Sequence, residues 1–71
     1  MTKEEFNEAM DRLSLTKQKD IADFFGISRS KAGEYKNGSR SVPKYVAISV
    51  QGHLLLSSEQ ISTLKQLRGV V

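Results

Sequence analysis

The chain has 71 residues, no cysteine, one histidine and a formal net charge of +3. That length allows one domain on one small core, and without cysteine neither a disulfide nor a thiolate metal site can reinforce it. His53 alone cannot build a metal site, no apolar run approaches the roughly 20 residues of a membrane span, and no secretory leader is visible. The expectation is a soluble, cytoplasmic protein without metal, cofactor, membrane partner or small-molecule ligand, held together by well-packed helices, by dimerisation, or by both.

The charge is unevenly spread. Residues 1–15 hold four acids against two bases, whereas residues 16–45 hold seven bases (Lys17, Lys19, Arg29, Lys31, Lys36, Arg40 and Lys44) against three acids. Positive charge gathered in the middle of a chain is the footprint of a polyanion binder, although a charged stretch is also what a solvated face looks like.

In chain order, the first segment, "TKEEFNEAMDRL", repeats Phe6, Ala9, Met10 and Leu13 at helical spacing. Thr2 and Glu5 form a capping box ahead of it. The second runs from a Thr16 N-cap through "KQKDIADFF", with Ile21, Ala22, Phe24 and Phe25 apolar, to a stop at Gly26. Ser28 can cap the third, "RSKAGEYK", which ends at Asn37-Gly38. The short link Gly26-Ile27-Ser28 predicts a steep crossing, with Gly26 at positive φ and Ala22 allowing close approach.

A fourth helix is expected with Pro43 at its first position, carrying Val46, Ile48, Val50 and Leu54 around Gly52. "VAISV" alternates like a strand, but the helical punctuation around it favours helix. Ser57 or Ser58 caps a fifth, about residues 58–68, in which Ile61, Leu64 and Leu67 recur every three residues. The expected fold is all-α, with five short helices. Along the third helix, Ser30, Gly33, Glu34 and Asn37 share one face by spacing, and Ala32 and Tyr35 can pack inward.

The stretch "QKDIADFFGISRSKAGEYKNG" resembles the helix-turn-helix of the Cro and lambda-repressor-like (XRE) regulators. The likeness rests on Gln18, Ile21-Ala22, Phe25-Gly26-Ile27 and Tyr35, and the following "NGSRSVPKYV" resembles that family's loop into helix four. It covers about residues 5–56, with the paired helices at about 17–25 and 28–36. It implies a sequence-specific transcriptional regulator, most simply a small dimeric autorepressor of phage or mobile-element type on an inverted-repeat operator. In such a module the second helix of the pair leads with its N-terminus into the major groove, where base edges carry a distinguishable code.

By position, the resemblance implies base reading by Arg29, Ser30 and Glu34, with Gln18 bracing the entry. Lys31 is open between base and phosphate. Glu34 can accept from cytosine or can orient Arg29 or Arg40 through an ion pair. Phosphate contacts fall on Lys17, Lys19, Ser28, Asn37, Ser39, Arg40, Ser41, Lys44 and Tyr45, and Gly33 reads as a point of close approach to DNA. Two departures stand out: Ala32 occupies a position that usually carries a larger branched residue, and Gly33 weakens its helix.

The row Ile61, Leu64, Leu67, Val70 and Val71 either closes the core or supplies a homodimer seam, with the terminal residues expected at the seam. A helix-turn-helix module used for protein–protein contact, as an adaptor or antitoxin, is the rival from another class. An enzyme is disfavoured, because no paired acid–base constellation is present.

Overall fold

The computed structural model describes residues 1–70, which hold five α-helices and no strand. They are α1 (Lys3–Arg12), α2 (Gln18–Phe25), α3 (Arg29–Asn37), α4 (Lys44–Leu54) and α5 (Ser58–Leu67). The all-α, five-helix expectation holds. No helix among the described residues is long and apolar enough to cross a membrane.

Three helices start on side-chain caps. Thr2 and Glu5 close a reciprocal capping box on α1, Ser57 and Gln60 do the same on α5, and Ser28 accepts from the Lys31 N–H at 3.1 Å on α3. Each such cap contributes about 1 kcal/mol relative to Ala. Two expected starts move by one residue. The N-cap of α2 is Lys17, not Thr16, because the Lys17 carbonyl accepts the first helical N–H, from Ile21 at 3.0 Å. Pro43 is the N-cap of α4 rather than its first helical residue, its carbonyl accepting from Val46 and Ala47.

The helix ends are more informative than the starts. At the end of α1, Ser14 takes a left-handed φ of 56°, the Ser14 N–H reaches the Asp11 carbonyl, and the Leu15 N–H reaches Met10 at 2.8 Å. This is a Schellman closure, in which the residue after the left-handed one folds back on the helix. Leu15 is thereby driven into the core, where it has no accessible surface. The same closure ends α5: Gly69 sits at φ 76°, and the Val70 N–H reaches Lys65 at 2.8 Å. Val70 is therefore a buried core residue. Gly26, at φ 68°, ends α2 and turns Ile27 back onto Ala22.

The core gathers Phe6, Ala9, Met10 and Leu13 from α1 and its cap, Ile21, Ala22 and Phe24 from α2, and Ala32 and Tyr35 from α3, together with Val46, Val50 and Ile61. Phe6 meets Tyr35 edge to face at 5.7 Å, and burial pushes the Tyr35 phenol above its ordinary pKa. On α4 the buried residues are Val46, Ala47 and Val50, so the alternating reading fails at Ile48, which faces out. The cause is the helical period, which carries 46 and 50 to one side and 48 to the other.

Arg68 ties the end of α5 to α2. Its Nη1 donates to the Phe24 carbonyl at 2.9 Å and approaches His53 Nε2 at 3.0 Å, while its guanidinium lies 4.6 Å from the Phe24 ring centroid. His53 Nδ1 faces the Ser49 carbonyl at 2.6 Å, so Nδ1 carries the proton and Nε2 accepts from Arg68. His53 is a half-buried structural side chain, consistent with its expected boundary position.

Ser14 is the one described residue other than glycine held at positive φ. Ser14→Gly should raise unfolding stability by about 0.5–1 kcal/mol in urea titration, because glycine takes that conformation without a Cβ penalty. An unchanged midpoint would show that the turn carries no strain.

Candidate nucleic-acid interface

The exposed face of α3 is built from its neighbours inward. Ala32 and Tyr35 are fully buried, and they anchor α3 against α1 and α2. That rotation leaves Arg29, Ser30, Lys31 and Asn37 exposed, with Glu34 at the half-buried edge. Ser30, Gly33, Glu34 and Asn37 line one shallow depression together with Gln18 and Lys36. The spacing argument for a shared face is therefore met.

Within the chain itself, Gly33 makes room for a neighbouring side chain. A Cβ built on it would stand 2.1 Å from Gln18 Nε2, so the Gln18 amide already occupies the space above this glycine. From there Gln18 Nε2 donates to the Arg29 carbonyl at 3.2 Å. The glycine admits a side chain of this protein's own α2, which braces the first turn of α3. Gln18 thus performs the bracing expected of it, and its amide is half committed before any ligand arrives.

Glu34 pairs with Arg40, one of the two arginines it was expected to orient. Its Oε2 accepts from Arg40 Nε at 3.0 Å, and its main-chain carbonyl accepts from the Gly38 and Arg40 N–H groups at 3.0 and 3.4 Å. One residue of α3 thereby fixes the loop that follows it. The ion pair is half-exposed, so its worth lies in geometry more than in energy. It engages Arg40 through Nε and leaves the terminal guanidinium nitrogens available as donors.

The remaining loop residues divide by what they already do. The Asn37 side-chain oxygen accepts from the Ser39 N–H at 2.8 Å, shaping the turn into 38–43. The Ser28 hydroxyl is occupied as the α3 cap, so its first role is structural. Lys19 pairs with Asp23 at 3.0 Å along α2, which offsets part of its charge. Ser39, Ser41, Lys44 and Tyr45 are exposed. Arg29, Lys17, Lys31 and Lys44 form no ion pair with an acidic residue among the described residues.

Lys36 was missed by the sequence reading. Its Nζ donates to the Thr16 carbonyl, and its own carbonyl accepts from Asn7 Nδ2 at 2.9 Å. It therefore clamps the entry of α2 and the end of α3 to each other and to α1. No sequence signal distinguished it from the other lysines.

The helix starts make the electrostatic pattern. Of the five, only α2 and α4 lack a side-chain N-cap, and they are the two that flank α3 in sequence. Each start carries an exposed lysine, Lys17 or Lys44, beside first-turn N–H groups that no side chain caps. Uncapped N-termini attract anions, because the first-turn N–H groups point outward and the helix dipole is positive there.

Of the expected seam residues, Ile61 and Val70 are buried in the monomer, Leu64 is half-buried and Leu67 is 77% exposed. Val71 lies outside the described residues. Ile61 and Val70 thus contribute to the monomer core. No protein-family model, curated protein or solved structure matches the chain.

The Gln18–Gly33 fit predicts opposite consequences in two backgrounds. Gly33→Ala gains about 1 kcal/mol of helix propensity but expels the Gln18 amide from the Arg29 carbonyl. Its net effect on urea stability should be near zero in the native chain and stabilising by about 0.5–1 kcal/mol in Gln18→Ala. A double-mutant cycle without coupling would remove Gln18 from the role assigned to it.

Proposed function

We propose that this chain is a sequence-specific double-stranded DNA-binding regulator, a small homodimeric autorepressor acting on an inverted-repeat operator through the major groove. The observation that carries the reading is the arrangement around α3. A helix with Arg29, Ser30 and Lys31 exposed on its first turn is preceded and followed in the chain by helices whose starts lack a side-chain cap and carry a lysine, and its loop is held in place by Glu34 and Arg40. A duplex presents this arrangement with two rows of phosphates and base edges between them.

In this reading the roles separate by chemistry. The N–H groups at the starts of α2 and α4, with Lys17, Lys44, Arg40 and Tyr45, meet phosphates and set the register. Arg29 and Ser30 face bases, and Arg29 suits the bidentate pattern of guanine O6 and N7. Lys31 is free to take either. Glu34 serves by holding Arg40 rather than by reading a base. A protein–protein adaptor or antitoxin is the competing reading, and the exposed apolar side chains Ile48 and Leu55 of α4 and its cap are the feature that would serve it.

Arg40→Ala combined with Lys44→Ala should weaken binding to every duplex alike and reduce the salt dependence, with the slope of log affinity against log salt falling by about 1–2. Arg29→Ala should instead cost about 1–3 kcal/mol on a selected palindrome and relax preference at one base position. Affinities unchanged in both variants would place the docking face elsewhere.

A further inference from the structure

Away from α3, the end of α1, the turn at Ser14, the end of α4 and one side of α5 enclose a cleft of about 290 Å³. It carries two cations, Arg12 and Lys65, and three hydroxyls, Ser14, Ser58 and Ser62, with no acidic residue in its lining. Ser58, Ser62 and Lys65 recur at i, i+4 and i+7, which places them on one face of α5. Neither cation forms an ion pair among the described residues. Lys65 Nζ makes one long contact, 3.4 Å to the Ser14 carbonyl, so its other two N–H donors are uncommitted. Ser28 and Ser57 spend their hydroxyls as helix caps, whereas no hydrogen bond among the described residues engages these three. Leu13 and Ile61, both buried, form the floor, with Leu54 beside them. His53 also lines the cleft, but both its ring nitrogens are taken, by the Ser49 carbonyl and by Arg68.

We propose that this cleft binds a small phosphate monoester, its phosphoryl group held by Arg12 and Lys65 and its organic part resting on Leu13, Leu54 and Ile61. A monoester carries a charge of about −1.5 to −2 near neutral pH and presents three acceptor oxygens. Two cations from different helices, with hydroxyl donors between them, match that number and spread of acceptors; a carboxylate offers only two, in one plane. The volume lies at the lower edge of the roughly 300–1,000 Å³ usual for ligand pockets, so the ester must be small. None of the lining residues belongs to α2, α3 or the loop 38–43, which separates the cleft from the proposed DNA face. They are scattered between positions 12 and 65, so only the fold brings them together, and the sequence alone predicts no small-molecule ligand.

Occupancy would also act on the fold. The close helix pairs are α2 with α3, α1 with α3 and α1 with α4, and α5 belongs to none of them. Ile61 and Val70 in the core and the Arg68 bond to Phe24 hold α5 in place. An anion bridging Arg12 of α1 to Ser62 and Lys65 of α5 ties this loosely docked helix to the first, and stabilises the chain by mass action.

Titration of the isotope-labelled full chain with phenyl phosphate, inorganic phosphate and sodium chloride at matched ionic strength tests the proposal. Phenyl phosphate should move the amide resonances of Arg12–Ser14, Ser58, Ser62 and Lys65 saturably and should raise the thermal midpoint. Inorganic phosphate should do the same only at higher concentration, because it lacks the part that rests on the floor, and chloride should not. Arg12→Gln and Lys65→Gln should each raise the dissociation constant about tenfold or more while circular dichroism stays helical. Arg12→Gln should leave duplex binding unchanged. Shifts that do not saturate or that centre on α2 and α3, an equal response to chloride, or unaltered binding in both variants would overturn the site. A native chain that binds the ester but no duplex would remove the DNA reading alone.

Discussion

Ala32 and Tyr35 have almost no accessible surface, and their burial against the neighbouring helices fixes which face of α3 is turned outward. That burial sets α3 against α1 and α2, with Tyr35 meeting Phe6. Once Ala32 and Tyr35 point inward, helical geometry leaves Arg29, Ser30 and Lys31 outside. Gly33 extends the same close fit, because it accepts the Gln18 amide where any side chain would collide. A helix with a weak intrinsic propensity is thus held by its neighbours rather than by its own sequence.

The exposed face then acquires its electrostatic character from the backbone as much as from side chains. Ser28 closes the start of α3, whereas α2 and α4 begin on Lys17 and Pro43 with no side chain to satisfy their first N–H groups. Such groups are satisfied by water or by an anion. Around them, Glu34 converts Arg40 from a mobile loop residue into a positioned one, and Lys36 secures the approach to α2. Gln18, Ser28, Glu34, Lys36 and Asn37 organise other groups, while Lys17, Arg29, Lys31 and Lys44 form no ion pair among the described residues. That division matters more than the modest net charge.

Much of the fold was legible because its signals are local. Thr2, Ser28 and Ser57 are followed by the residues their caps require, and Gly26 and Gly38 sit where helices must stop. Ser14 was not legible, since nothing in its identity marks a left-handed turn, and Leu15 was consequently missed as a core residue. The burial of Val70 was hidden for the same reason: a Schellman closure turns it inward at the chain end. In the candidate site, spacing located the shared face of Ser30, Gly33, Glu34 and Asn37. It does not show what a neighbouring helix brings to that face, so the Gln18 amide over Gly33 and the Lys36 contact with Thr16 are not legible in it. The contact of Arg68 with Phe24 and His53 joins three helical segments, and no short pattern encodes it.

The central claim, that α3 and the two helix starts flanking it form a DNA-docking face, is tested most directly by titrating the isotope-labelled chain with a short duplex and following its backbone amide resonances. The account predicts shifts concentrated at Lys17–Lys19, Arg29–Asn37 and Ser39–Tyr45, reversed by added salt. Shifts confined to the outward face of α4 and to α5, or none at duplex concentrations well above the protein, would contradict it.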